Sequence, residues 1–144
     1  MPAYDAFHGA VRRGLIKDGW TITHDPYPLE YGGADLYVDL GAERVLAAER
    51  GDRWIAVEIK SFIGPSLISD YHTALGQFLN YRLALQKRDP NRVLFLAVPR
   101  DTYEEFFTLP FAMESISVHR VDLIVFDPEL EELVKWIRQP TMVL

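Results

Sequence analysis

The segment Trp54-Ile55-Ala56-Val57-Glu58-Ile59-Lys60 carries an acid and a base two residues apart in an otherwise apolar run. Strand side chains alternate between faces, so Ile55, Val57 and Ile59 point one way, and Trp54, Ala56, Glu58 and Lys60 the other. The first set is expected to pack under a long helix, which leaves Glu58 and Lys60 on the opposite face. Gly51-Asp52 has the composition of a two-residue hairpin turn. About that turn Val45 would face Glu58 and Glu43 would face Lys60, adding a second acid. Upstream, Asp35, Tyr37 and Asp39 form one side of their own strand, so a further acidic row can approach. The register favours Glu43 as the neighbour of Lys60 and does not place Asp39, because Gly41 lets the chain bend between the strands.

Carboxylates gathered at close range repel, and a hard divalent cation relieves that repulsion. Asp39, Glu58 and Glu43 are therefore the candidate ligands for Mg²⁺ or Mn²⁺. Beside such an ion, the Lys60 ammonium can orient the attacking water and stabilise charge developing on phosphorus, which is what phosphodiester hydrolysis requires. Asp39, Glu58 and Lys60 form the candidate catalytic set. Glu-x-Lys alone is common and by itself describes a solvated surface ion pair. Its setting raises its weight: it ends an apolar strand, follows an acidic strand and precedes a helix with Gln77 and Tyr81 one turn apart. Gln77, expected as a buried amide in need of partners, is the candidate for positioning substrate.

The elements follow from periodicity. Phe7, Val11 and Leu15 recur every four residues, which predicts a helix over residues 5–18 with Gly19 as its C-terminal glycine. Residues 20–23 form a short β-prone piece and 26–33 a loop. Segments 36–40, 44–50 and 54–61 read as an antiparallel meander. Tyr71, Leu75, Phe78, Leu79 and Leu83 lie on one stripe of a helix over 67–87, with Ser66 or Ser69 as its N-cap and Asp89-Pro90 as its end. The run 93–98 reads as a strand paired on both sides and covered on both faces. A short helix over 103–109, a strand over 121–126 and a closing helix over 129–138, started by Asp127-Pro128, complete an α/β arrangement around a mixed sheet.

Composition narrows the classes. The chain has 144 residues, expected as a single domain over 1–144, with 15 Lys plus Arg against 21 Asp plus Glu, a formal charge of −6, and no cysteine. The absence of cysteine excludes disulfides, thiolate zinc, cysteine-ligated iron–sulfur clusters and cysteine nucleophiles. No apolar run is long enough to cross a bilayer, so a cytoplasmic protein with no membrane partner is expected. Acidic balance argues against a general coater of polyanions but leaves room for a local basic patch, for which Arg82, Lys87, Arg88 and Arg92 are candidates. His8 and His24 lack a metal-ligand spacing and read as packing or capping residues. Asp5 reads as a first-turn acid. Leu133, Trp136 and Ile137, followed by Thr141-Met142-Val143-Leu144, offer apolar surface for a partner or a homo-oligomer, with core packing the first reading for Trp136.

The element order and the Glu58-Ile59-Lys60 motif resemble the restriction-endonuclease-like PD-(D/E)XK core, a mixed β-sheet with an antiparallel meander flanked by helices. In that resemblance Asp39 or Glu43 is the preceding acid, and Gln77 with Tyr81 matches the glutamine and tyrosine of the following helix. Asp5 could supply the outer acid that the first helix of this fold often sends toward the metal, although the first-turn role outweighs this and Asp5 stays outside the catalytic set. No Pro-Asp pair precedes the acidic strand here. More specifically, Phe7-His8, residues 17–26, Asp39-Leu40-Gly41-Ala42-Glu43, Ala56-Val57-Glu58-Ile59-Lys60-Ser61-Phe62 and Ala74-Leu75-Gly76-Gln77-Phe78 resemble the XisH family, the fdxN element excision controlling factors of cyanobacteria. The resemblance covers nearly the whole chain. It implies control of site-specific DNA excision during heterocyst development with a small XisI-like partner protein, the recombination being done by a separate recombinase. It also implies a nuclease-like fold and contact with DNA.

Overall fold

The computed structural model describes residues 5–45 and 52–140. The first helix, α1 (His8–Lys17), buries Val11 and Leu15 completely on one stripe. It ends as expected at Gly19, whose φ of +93° lies in the left-handed region. There the Gly19 and Trp20 amides donate back to the carbonyls of Ile16 and Leu15, both freed by the end of the helix.

Strand β1 (Thr21–His24) is followed by β2 (Tyr27–Tyr31) and β3 (Ala34–Val38), which pair with each other in a separate two-stranded sheet. The loop expected over 26–33 is therefore mostly strand. Gly32-Gly33 is the hairpin turn, with φ of +59° and +85° at its two central residues. Pro28 disguises the strand in the sequence, but its neighbours Tyr27 and Leu29 are the buried side chains.

The main sheet runs β1-β4-β5-β6-β7-β8. Its members are β1, β4 (Leu40–Val45), β5 (Asp52–Ile59), β6 (Arg92–Pro99), β7 (Leu123–Asp127) and β8 (Glu132–Ile137). Strands β5, β6 and β7 are mutually parallel and the other pairings antiparallel. β6 is central and almost wholly buried, as its apolar run predicts. The 36–40 segment is not one strand: it breaks at Asp39, between β3 and β4. Only the start of the 44–50 segment lies in β4, and its residues 46–50 fall outside the described residues. So does Gly51 of the expected turn. Asp52 is already in β5 opposite Val45, which shifts the whole hairpin register.

The closing helix over 129–138 is a strand, β8, antiparallel to β7. Asp127-Pro128 resembles a helix start, yet Asp127 Oδ1 accepts the amides of Glu129 and Leu130 at 2.9 and 3.0 Å and closes a reversing turn. Helix α2 (Leu67–Arg88) has the N-cap Ser66, which accepts the Ser69 amide at 3.2 Å. After β6 come α3 (Arg100–Glu105), earlier than the expected 103–109, and α4 (Pro110–Val118), which periodicity does not reveal.

Each face of the main sheet has its own core. Ile55, Val57 and Ile59 pack with Phe95, Ile124 and Phe126 against α1, not under α2. Ala56, Leu96, Val98 and Val125 lie on the other face with Tyr71 and Phe78 of α2 and with Phe106, Phe107 and Ala112. The face that carries Glu58 is thus the one that α2 covers. Among the described residues no helix is long and apolar enough to cross a membrane.

Candidate functional site

In the β4–β5 ladder Leu40 pairs with Val57 and Gly41 with Ala56. One step further along, Asp39 at the β3–β4 bend meets Glu58 near the end of β5. The main-chain amide of Asp39 donates to Glu58 Oε1 at 3.3 Å, and that of Ile59 donates to Asp39 Oδ2 at 2.7 Å. Each strand therefore holds the other's acid through its backbone.

Glu58 is only 7% exposed, and no cation is paired with it among the described residues. Burial, and then the charge of Asp39, push its carboxyl up to about 10. Asp39 is also raised, by burial, partly offset by its hydrogen bonds with Glu58 and the Ile59 amide. Two carboxyls in such a position cannot both ionise cheaply, and one retains a proton. Tyr81 of α2 faces the pair: burial first, then the negative fields of Glu58 and Asp39, push its phenol up to about 12.

Two further groups close the site. Asp5, just before α1, accepts the Phe7 amide through Oδ1 and the Ser61 amide through Oδ2, each at 2.9 Å. It closes a turn ahead of α1, whose first turn holds no acid, so it is not the first-turn acid expected; it also ties the approach to α1 to the end of β5. Its charge helps raise both Asp39 and Glu58. His8 is buried, holds Asp25 through Nε2 at 2.8 Å and lowers Asp39 electrostatically; Arg12 binds the other oxygen of Asp25. Sequence spacing does not assign His8 and Asp5 to the site, because both lie far along the chain from Glu58. Only the packing of α1 across the sheet brings them near. Phe62 then turns the chain away with φ of +56°, its ring buried against Phe107.

Lys60 directly follows β5, with its amide bonded to the Ala97 carbonyl at 3.1 Å. It is half-buried, and its ammonium has no ion pair among the described residues. Glu43 does not join the group. It pairs with Trp54, accepts that indole N–H at 3.2 Å, and stands four strand residues, or about 13 Å, from Asp39. The expected register fails because it assumes a turn at Gly51-Asp52. Gln77 lies one turn before Tyr81 on α2 but is exposed, contrary to the buried amide expected. Of the candidate basic patch, Arg92 is committed to the Ile55 carbonyl and Asp89, and Arg82 to the carbonyls of His119 and Arg120; Lys87 and Arg88 remain exposed.

Among the described residues no group of three or more His, Asp or Glu side chains is close enough to share an ion. The facing pair Asp39 and Glu58 remains a fit donor set for Mg²⁺, which takes one or two carboxylates and keeps several waters. A cation there would replace the proton that Glu58 retains.

A family model described as XisH protein matches residues 1–134. The crystal structure of an XisH family protein from Nostoc punctiforme PCC 73102 superposes with a TM-score of 0.85 at 48% identity, covering 93% of this chain and 100% of that one. The crystal structure of a fdxN element excision controlling factor protein from Anabaena variabilis gives 0.84 at 49% identity, covering 92% and 98%. No curated protein matches the chain.

Proposed function

From the premise that this chain belongs to the XisH family, we propose that it controls excision of a DNA element, as the name of its Anabaena relative says of that protein, and does so with a PD-(D/E)XK-like phosphodiester site. The observation that carries the chemical part is the facing pair of Asp39 and Glu58, with Glu58 buried and pushed up to about 10. In this reading Asp39 and Glu58 hold Mg²⁺ or Mn²⁺. A bound ion of this kind polarises a phosphoryl oxygen and acidifies a water.

The chain's own groups do the rest. Lys60, two residues beyond Glu58 and unpaired among the described residues, orients water and balances charge on phosphorus. Asp5 pins the Ser61 amide and so fixes the end of β5 on which Glu58 and Lys60 ride. Tyr81 stays a neutral phenol at the rim, and exposed Gln77, one turn away, reaches toward substrate.

The test is nicking of supercoiled DNA in Mn²⁺ by the wild type, Lys60→Ala and Glu58→Ala. Cleavage by the wild type and a loss of about a hundredfold or more in each variant is expected. Equal cleavage by all three chains would overturn the site.

A second reading has its own support: no group of three acidic or histidine ligands among the described residues. In it the chain is a regulatory module that keeps the nuclease-like fold and acts through an XisI-like partner. Metal binding at the acid pair without any wild-type cleavage would select this second reading.

A further inference from the structure

The chain has three tryptophans, Trp20, Trp54 and Trp136, and all of them line one groove of about 560 Å³ beside β5 and β6, at the opposite end of β5 from the acid pair. Trp20 and Trp136 stack with ring centroids 5.5 Å apart, and Trp136 meets the ring of Phe95 edge-on at 4.9 Å. Trp54 and Trp136 are each half-exposed toward solvent. The Trp20 indole N–H is buried with no acceptor among the described residues.

Three arginines, Arg44, Arg53 and Arg138, rim the same groove. Arg138 binds Asp122 at 2.9 Å, Arg44 reaches Asp18 only at 3.9 Å, and Arg53 is exposed with no ion pair among the described residues. An adjoining hollow of about 240 Å³ shares Arg138 and adds Arg82 and Arg120. In a chain of net charge −6, this end sets its arginines beside Glu43, Asp18 and Asp122, so that Arg53 is the guanidinium of the rim without an ion pair among the described residues, while the other end holds Asp39 and Glu58 in the field of Asp5.

We propose that this groove binds single-stranded nucleic acid, with unpaired bases stacking on Trp54 and Trp136 and backbone phosphates held by Arg44, Arg53 and Arg138. Flat indole faces accept any base, and guanidinium groups at the rim supply the matching positive charge. A purely apolar partner would not need the arginines, and a purely electrostatic polyanion site would not need the aromatic floor. Double-stranded DNA keeps its bases stacked on one another and offers the groove phosphates alone. This site is separate from the acid pair and needs no metal.

Because every tryptophan of the chain lines the groove, intrinsic fluorescence reports on it directly. The experiment titrates the full chain, with chelator present, with a short oligothymidylate, a duplex of equal length, and heparin. Quenching by the oligothymidylate, with duplex and heparin about tenfold weaker or more, is expected. Arg53→Glu, an exposed change that leaves the core intact, and Trp54→Leu should each weaken binding by about tenfold. Glu58→Ala should bind like the wild type, which separates this site from the proposed phosphodiester site. No quenching, equal binding of heparin, or unchanged affinity in both groove variants would overturn the proposal. Release of the oligothymidylate by a protein partner at the groove, without these losses, would also count against it.

Discussion

Burial and the facing Asp39 push the Glu58 carboxyl up to about 10 in the folded chain, against an ordinary value of 4.5 once unfolded. Between those values the folded state holds the extra proton, so this group's contribution to stability is full below 4.5 and falls as pH rises through the window. Glu58→Gln removes the ionisation and should flatten that decline. We expect it to gain about 0.5–2 kcal/mol at about pH 8, read from urea midpoints across pH. A variant that tracks the wild-type pH curve would remove Glu58 as its source. At this scale the sequence is legible in part. Alternation puts Glu58 on the face of Ala56, as found, but Lys60 lies past the end of β5, and the partner acid depends on a register that no local pattern encodes. Asp39 sits at a bend, where the period-two rule stops. Gln77 is expected to be buried because it neighbours Phe78, yet one residue along a helix is a turn of about 100°, enough to bring it into solvent.

Helix α1 packs through Val11 and Leu15 on the sheet face opposite the one that carries Glu58, and its end depends on the left-handed Gly19. Leu15→Ala should cost about 2–5 kcal/mol. Gly19→Ala, forcing a Cβ into φ of +93°, should cost about 1–2 kcal/mol. Denaturant titration measures both, and a neutral Gly19→Ala would deny the strain. Elements with strong single signals are readable: α1 and its glycine, α2 and its Ser66 cap, and the doubly covered β6. The losses have physical causes. The 129–138 segment satisfies helix start chemistry at Asp127-Pro128, but β7 offers an open edge and hydrogen bonding to it outweighs local preference. Helix α4 begins with Pro110 at its first turn, a start signal, yet several of its apolar side chains, such as Phe111 and Met113, are exposed and blur the period.

Across the whole molecule the two ends of β5 carry opposite chemistry. Acids from α1's approach, the β3–β4 bend and β5 gather at one end, and tryptophans with arginines at the other. Family resemblance is legible across the chain because its motifs are long strings, whereas the polarity of the sheet emerges only when β4, β5, β6, β7 and β8 stand side by side. If Asp39 and Glu58 hold a cation, a divalent ion at a hundred times its dissociation constant should stabilise the fold by about 2.7 kcal/mol. Glu43→Ala, at the other end of β4, should leave that gain intact. The most direct test is calorimetric titration of Mn²⁺ at about pH 8 in two buffers of different ionisation heat. The expected result is one ion per chain, bound with release of the proton Glu58 retains, and lost in both Asp39→Ala and Glu58→Ala. Binding without proton release, or undiminished binding by Glu58→Ala, would contradict it.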